Sequence, residues 1–197
     1  MKKALFVILL SVTNLCSAQT DIYKELYQQA DLLKSNKLIG VLDNNIYKVA
    51  DSLSKMHPTG FFKSSSKYLG LRKFNEAAFL YYLGYFRYNY YNSSNPNSKP
   101  TGDGALASSL LSVLGEPIKM YLHANIENFI SLLNSTNEYL KTHDYPFYPK
   151  ERNIEKYNLQ LTNSASVLED LKTKKKAYKK EWKKEREEFQ NPKKFKN

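Results

Sequence analysis

Residues 74–91, FNEAAFLYYLGYFRYNYY, place nine aromatic rings in eighteen positions, with one glycine and one arginine among them. Set on a helix, Phe74, Ala78, Tyr81, Tyr85 and Tyr88 form one stripe. Phe79, Tyr82, Phe86 and Tyr90 form a second, and Ala77, Leu80, Gly84, Arg87 and Tyr91 a third. Three stripes leave almost no polar face, and a helix that is apolar all round belongs among other helices. The segment therefore predicts the central helix of an all-α protein. An aromatic wall lining a cleft is the functional alternative.

Tyrosine outnumbers phenylalanine here, so hydroxyls are expected to reach polar partners at the edge of the core. Ala77 and Gly84 share a stripe and leave room for a close neighbour, expected over residues 60–71. Arg87 is expected to be buried in a structural ion pair, since an unpaired buried charge is very costly. Asp51, Glu76, Asp103, Glu116 and helix-end carbonyls are its candidate partners.

The rest of the chain has helical rather than alternating spacing. Ile22, Leu26, Ala30 and Leu33 share a face, and Gly40 marks a break. Leu42, Ile46, Val49, Leu53 and Met56 then form an apolar stripe that ends at HPTG, because Pro58 lacks an amide proton. FFKSSSKYLGL reads as a short helix with Gly70 in its C-terminal turn. Residues 92–104 read as a loop. Asp103 is placed to cap the helix that follows. Gly115 is expected to end that helix and Pro117 to open another, with Asn125 a cap further on. THDYPFYPKE is a second loop, and one long helix is expected from about Arg152 to Phe189. The expectation is an irregular bundle of about six or seven helices.

The two ends differ in kind. MKKALFVILLSVTNLCSAQT has a basic start, an apolar run too short to span a bilayer, and small residues suited to cleavage after Ala18. Residues 1–18 thus read as a secretory signal peptide and predict a periplasmic or secreted protein. Lipidation at Cys16 is the alternative, although Leu15 stands where a small residue is usual. Cys16 is the single cysteine, so no disulfide or thiolate chemistry is expected after cleavage.

From Lys172 onward the chain carries twelve Lys or Arg against four Glu, a net of +8 out of +11 for the whole sequence. The body, residues 19–171, is nearly neutral. A nucleic-acid-binding domain spreads charge over a folded face, so no nucleic acid is expected as a partner. Residues 172–197 read as a protruding, solvated helix, or as a surface for an acidic partner or an anionic envelope polymer.

KYLGLRKFNEAAFLYYLG, residues 67–84, resembles the helical hairpin of a tetratricopeptide repeat, with Phe74, Ala77, Tyr81 and Gly84 at its aromatic and small positions. It is a single copy, so no tandem array is expected. HPTGFFK, FNEAAFLYYLGYFRYNYY and GDGALASSLLSVLGEPI, over residues 57–120, also resemble a family of small exported bacterial proteins without a settled activity. The resemblance implies an all-helical, non-enzymatic protein, and some exported helical proteins of this kind are immunity proteins against toxins delivered to the periplasm.

Motifs for catalysis are sparse. His57, His123 and His143 are not at helical metal-pair spacing. No P-loop, G-x-S-x-G or dinucleotide fingerprint occurs, and no cofactor is expected. Glu76 and Asp103 can be imagined as a carboxylate pair for a hydrolase, but nothing in the sequence singles them out. The favoured expectation is a non-catalytic protein-binding module, an immunity protein among its forms. An envelope-associated scaffold that binds anionic lipid or glycan through its basic C-terminal helix, and a hydrolase with an unrecognised site, are the rivals. The candidate contact residues are Tyr85, Tyr88, Tyr91, Asp103, Tyr145 and Tyr148, with Lys175, Lys179, Trp182 and Lys183 in the basic segment.

Overall fold

A computed structural model describes residues 24–36, 38–97 and 101–190, and the signal-peptide expectation lies outside them. Residues 24–35 form α1. The others are α2 (Asn45–Leu53), α3 (Thr59–Gly70), α4 (Phe74–Ser94), α5 (Asp103–His123), α6 (Ile126–Thr142), α7 (Ile154–Thr173) and α8 (Lys175–Gln190). A 3-10 turn, Lys150–Arg152, precedes α7. Among the described residues the fold is all-α, with no strand.

Helix α4 is the axis of the bundle. Phe74, Ala77, Ala78 and Tyr81 pack in a core shared with Leu26, Ile118, Leu122, Phe129, Leu133, Leu168 and Trp182. Phe79, Leu80, Leu83, Phe86 and Tyr90 pack in a second core with Ile46, Leu53, Phe61, Tyr139 and Tyr157. A helix feeding two cores needs apolar residues on nearly its whole circumference, which explains its sequence. Helix α3 runs back along it. A methyl group at Gly84 would stand 2.7 Å from Phe61 Cβ and 2.9 Å from the Phe62 ring, so only glycine admits this approach. The neighbour expected over residues 60–71 is therefore present.

A buried polar junction ties the helices together. Asn75 Oδ1 accepts from the Tyr121 hydroxyl and from Asn128 Nδ2, both at 2.8 Å. Its Nδ2 donates to Val41 O at 2.9 Å, and Gly40 N donates to Asn128 Oδ1 at 2.8 Å. Thus α4, α5, α6 and the loop before α2 meet with their polar groups satisfied. Gly40 sits in that loop at φ 69°, a conformation glycine adopts without steric cost.

Several boundaries differ from expectation. Helix α5 runs unbroken through Gly115 and Pro117. Pro117 deprives the Val113 carbonyl of its donor, but Val113 is 68% exposed, so that carbonyl lies on the side where water can take it. Gly102, at φ 67°, holds the capping position, and Asp103 is the first residue inside the helix. Gly70 is helical, and the left-handed residue of the α3–α4 turn is Arg72 at φ 62°. Asn125 does cap α6, accepting from Asn128 N at 3.2 Å, and Asn153 caps α7 in the same way. In α7 the buried stripe runs Tyr157, Ser164, Leu168, Leu171, while Ile154 and Ala165 are exposed.

The single long C-terminal helix is two helices. The chain turns at Lys174 (φ −95°, ψ 15°), where Lys174 Nζ also pairs with Asp170 at 2.6 Å. Beyond the turn lie Tyr178, Trp182 and Phe189. After the turn these residues face the body, and Trp182 is buried. Helix α8 is therefore docked rather than protruding.

Candidate binding surface

Arg87 organises one end of the bundle. Its side chain is 1% exposed. Nη2 donates to His143 O at 2.7 Å and to Asp144 O at 3.0 Å, and the guanidinium lies 4.8 Å from the centre of the Tyr145 ring. No carboxylate pairs with it among the described residues; of the partners expected for it, the helix-end carbonyls are the ones present, and the charge is met by carbonyls at the end of α6 and by an aromatic face. Two of its donors, Nε and Nη1, are buried without a partner among the described residues. Burial pulls its pKa downward, but an arginine remains protonated. Two of the proposed carboxylate partners are engaged elsewhere. Asp51 accepts from the Tyr139 hydroxyl at 2.7 Å, and Glu76 accepts from Asp43 N at 3.1 Å.

Above Arg87 lies the 143–149 loop, fastened by backbone acceptors and tyrosine hydroxyls. Tyr145 is fully buried and donates to Met56 O at 3.0 Å. Phe147 N donates to Ser54 O at 3.0 Å. The Tyr90 hydroxyl donates to Pro149 O at 2.8 Å, and the Tyr148 hydroxyl to Ser94 O at 2.9 Å. Burial raises the Tyr90 hydroxyl to about 12 and that of Tyr145 further, so both remain protonated donors at neutral pH. The bond from Tyr148 ties the loop to the C-terminal end of α4.

The loop carries an aromatic cluster outward. The Phe147 ring lies 5.7 Å from both His57 and Tyr91, and Tyr91 lies 5.3 Å from Tyr148. Phe147 is 38% and Met56 49% exposed, and Tyr91, Tyr148 and His57 are half-buried. The Arg152 guanidinium stands 6.0 Å from the centre of the Tyr148 ring, at the edge of the patch. Of the expected contact residues, Tyr91 and Tyr148 meet here. Tyr145 does not offer a surface, since its ring is the floor against Arg87. Phe147 and Met56 were missed. Met56 reads as the end of a buried stripe, but α2 stops at Leu53 and leaves it outside.

The other expected residues lie elsewhere. Tyr85 is exposed and Tyr88 half-buried on the α4 stripe above Tyr81, whose hydroxyl donates toward Leu111 O. On α8, Trp182 stacks on His123 with ring centres 4.0 Å apart, so it is part of the core rather than a contact. Lys175 and Lys179 both reach Glu127, at 2.6 and 2.9 Å. Lys183 is exposed.

A cleft of about 600 Å³ opens between α1, α5 and α8, lined by Tyr27, Glu116, Lys119, His123, Glu185 and Phe189. His123 Nδ1 is 3.1 Å from Glu185 Oε2, and burial lowers the His123 pKa. The Trp182 ring covers one face of the imidazole, and the pair fastens α8 to α5. Among the described residues no group of three or more His, Cys, Asp or Glu lies close enough to hold a metal. No helix of the described residues is long and apolar enough to cross a membrane. No protein-family model, no curated protein and no solved structure matches this chain.

Proposed function

We propose that this chain is a non-catalytic, exported binding protein that recognises another protein through the Phe147–Tyr91–Tyr148 surface. Within that class we favour an immunity protein that neutralises a toxin delivered to the periplasm. The observation that carries the reading is a partly exposed aromatic cluster, Phe147, Tyr91 and Tyr148, at a loop whose backbone is fastened from below. Phe147 and Met56 stand in water while the 143–149 backbone is held through Arg87, Tyr90, Tyr145 and Tyr148. Protein interfaces enrich aromatic, methionine and arginine anchors at their centre and polar groups at the rim. A loop already ordered in the free protein loses little entropy on binding.

The reading is tested with the product of the reading frame beside this one. A one-to-one complex is expected by calorimetry. The double variant Phe147→Ala/Met56→Ala is expected to weaken it at least tenfold, with far-UV circular dichroism and Tm retained. Undiminished affinity in that variant would refute the surface, and the absence of any complex would refute the immunity reading.

A further inference from the structure

The body consumes only one face of α8. Tyr178, Trp182 and Phe189 turn inward. The cations on that side are matched: Lys175 and Lys179 by Glu127, and Arg186 by Asp31 with two contacts at 3.0 and 2.6 Å. At about 100° per residue, Lys176, Lys180, Lys183 and Lys184 fall on the opposite side, and all four are exposed. Lys183 and Lys184 have only looser contacts to Glu187 and Glu188, at 3.7 and 3.4 Å. Lys176 and Lys180 have no carboxylate within ion-pair distance among the described residues. Lys172, near the end of α7, is also exposed.

We infer that this outer face of α8 docks the protein on an anionic phospholipid bilayer. Three observations select that partner. The ridge lacks an apolar anchor, its one apolar residue being Ala177, and a protein interface needs a buried hot-spot centre. It presents no aromatic ring for base stacking, which single-stranded nucleic acid sites use. Its cations are lysine ammoniums, mobile point charges without the bidentate geometry that selects one shaped anion, and they outnumber Glu187, the carboxylate that shares this face. A row of four to eight such cations suits a diffuse, planar negative surface. Trp182 is buried against the body, and Phe189, though 38% exposed, lies on the inner side against the Tyr27 ring, so attachment through the outer face is electrostatic and without insertion. The inference is independent of the aromatic surface at the other end of the bundle.

The test is co-sedimentation of the full chain with large vesicles, either pure phosphatidylcholine or phosphatidylcholine with about a third phosphatidylglycerol. Binding is expected to the anionic vesicles alone and to disappear at about 0.5 M salt, where the Debye length falls to a few ångströms. Lys176→Gln/Lys180→Gln is expected to weaken binding by at least tenfold. Lys175→Gln/Lys179→Gln removes the same charge from the inner face and is expected to change it less than threefold. Circular dichroism confirms that each variant is folded. Equal loss in the two doubles, binding that survives high salt, no binding to anionic vesicles, or tighter binding to duplex DNA or an acidic protein would each overturn the inference.

Discussion

Arg87 Nη2 holds His143 at 2.7 Å through its carbonyl, so a residue in the middle of α4 sets the position of the chain where α6 ends. The contact joins the aromatic helix to the exposed loop. Replacing Arg87 with Met keeps the unbranched stem of the side chain but removes the guanidinium and leaves the His143 and Asp144 carbonyls without their donor. The relief of a buried charge offsets part of the loss. Arg87→Met is expected to cost about 1–3 kcal/mol, and hydrogen exchange of the 143–149 amides should accelerate more than that of α4. Unchanged loop protection would show that the arginine does not hold the loop.

Two glycines of the α3–α4 hairpin should respond with opposite sign. Gly84→Ala forces a methyl group into Phe61 and Phe62 and is expected to cost about 1–3 kcal/mol. Gly70 is helical with nothing within 4 Å of an added Cβ, so Gly70→Ala is expected to gain up to about 1 kcal/mol by restricting the unfolded chain. Urea midpoints of the two variants decide the matter. A neutral Gly84→Ala would mean the helices can part without loss.

Helix α8 tests what docks a basic helix. Asp31 is 56% exposed in its pair with Arg186, so Asp31→Asn is expected to cost less than about 1 kcal/mol. Trp182 is 7% exposed, and Trp182→Ala is expected to cost about 3–5 kcal/mol. Limited proteolysis after Lys174 should accelerate in the tryptophan variant alone. Equal sensitivity of both variants would assign the docking to charge.

His123 gives the same junction a pH dependence. Burial lowers its pKa from the ordinary 6.5, and this outweighs Glu185 and Glu181, which favour the charged form, while Lys119 adds to the lowering. The folded state then binds fewer protons than the unfolded state. Stability from this group is fully present above about pH 6.5 and is lost as pH falls through the lowered value. Tm is expected to decline between pH 7 and 5, and His123→Gln to flatten that decline. A rise in Tm on acidification, removed by the same substitution, would mean that Glu185 dominates.

The helical character of the chain was legible because its apolar residues recur at three and four positions. The close approach of α3 to α4 was legible in Ala77 and Gly84. The path of the chain beyond Lys172 was not. Tyr178, Trp182 and Phe189 lie on one face at helical spacing, a signal present in the residues, but the surrounding lysines conceal it because their charged heads can pair or snorkel while the helix docks. The Asn75–Tyr121–Asn128 junction was equally hidden, since a buried asparagine looks like a surface one until its partners are in place. Phe147 sits between two prolines in what reads only as a loop. Its exposure depends on where Tyr145 goes, and that depends on Arg87, which is 58 residues earlier in the chain.

The fastening of the 143–149 loop has a consequence for divergence. Its anchors from the body grasp main-chain oxygens at His143, Asp144 and Pro149 and leave the side chains at 146 and 147 uninvolved. Exchanging the residues at those two positions leaves these main-chain bonds in place. Homologues could therefore retarget the same rim to new counterparts by replacing side chains there, with the frame beneath inherited intact.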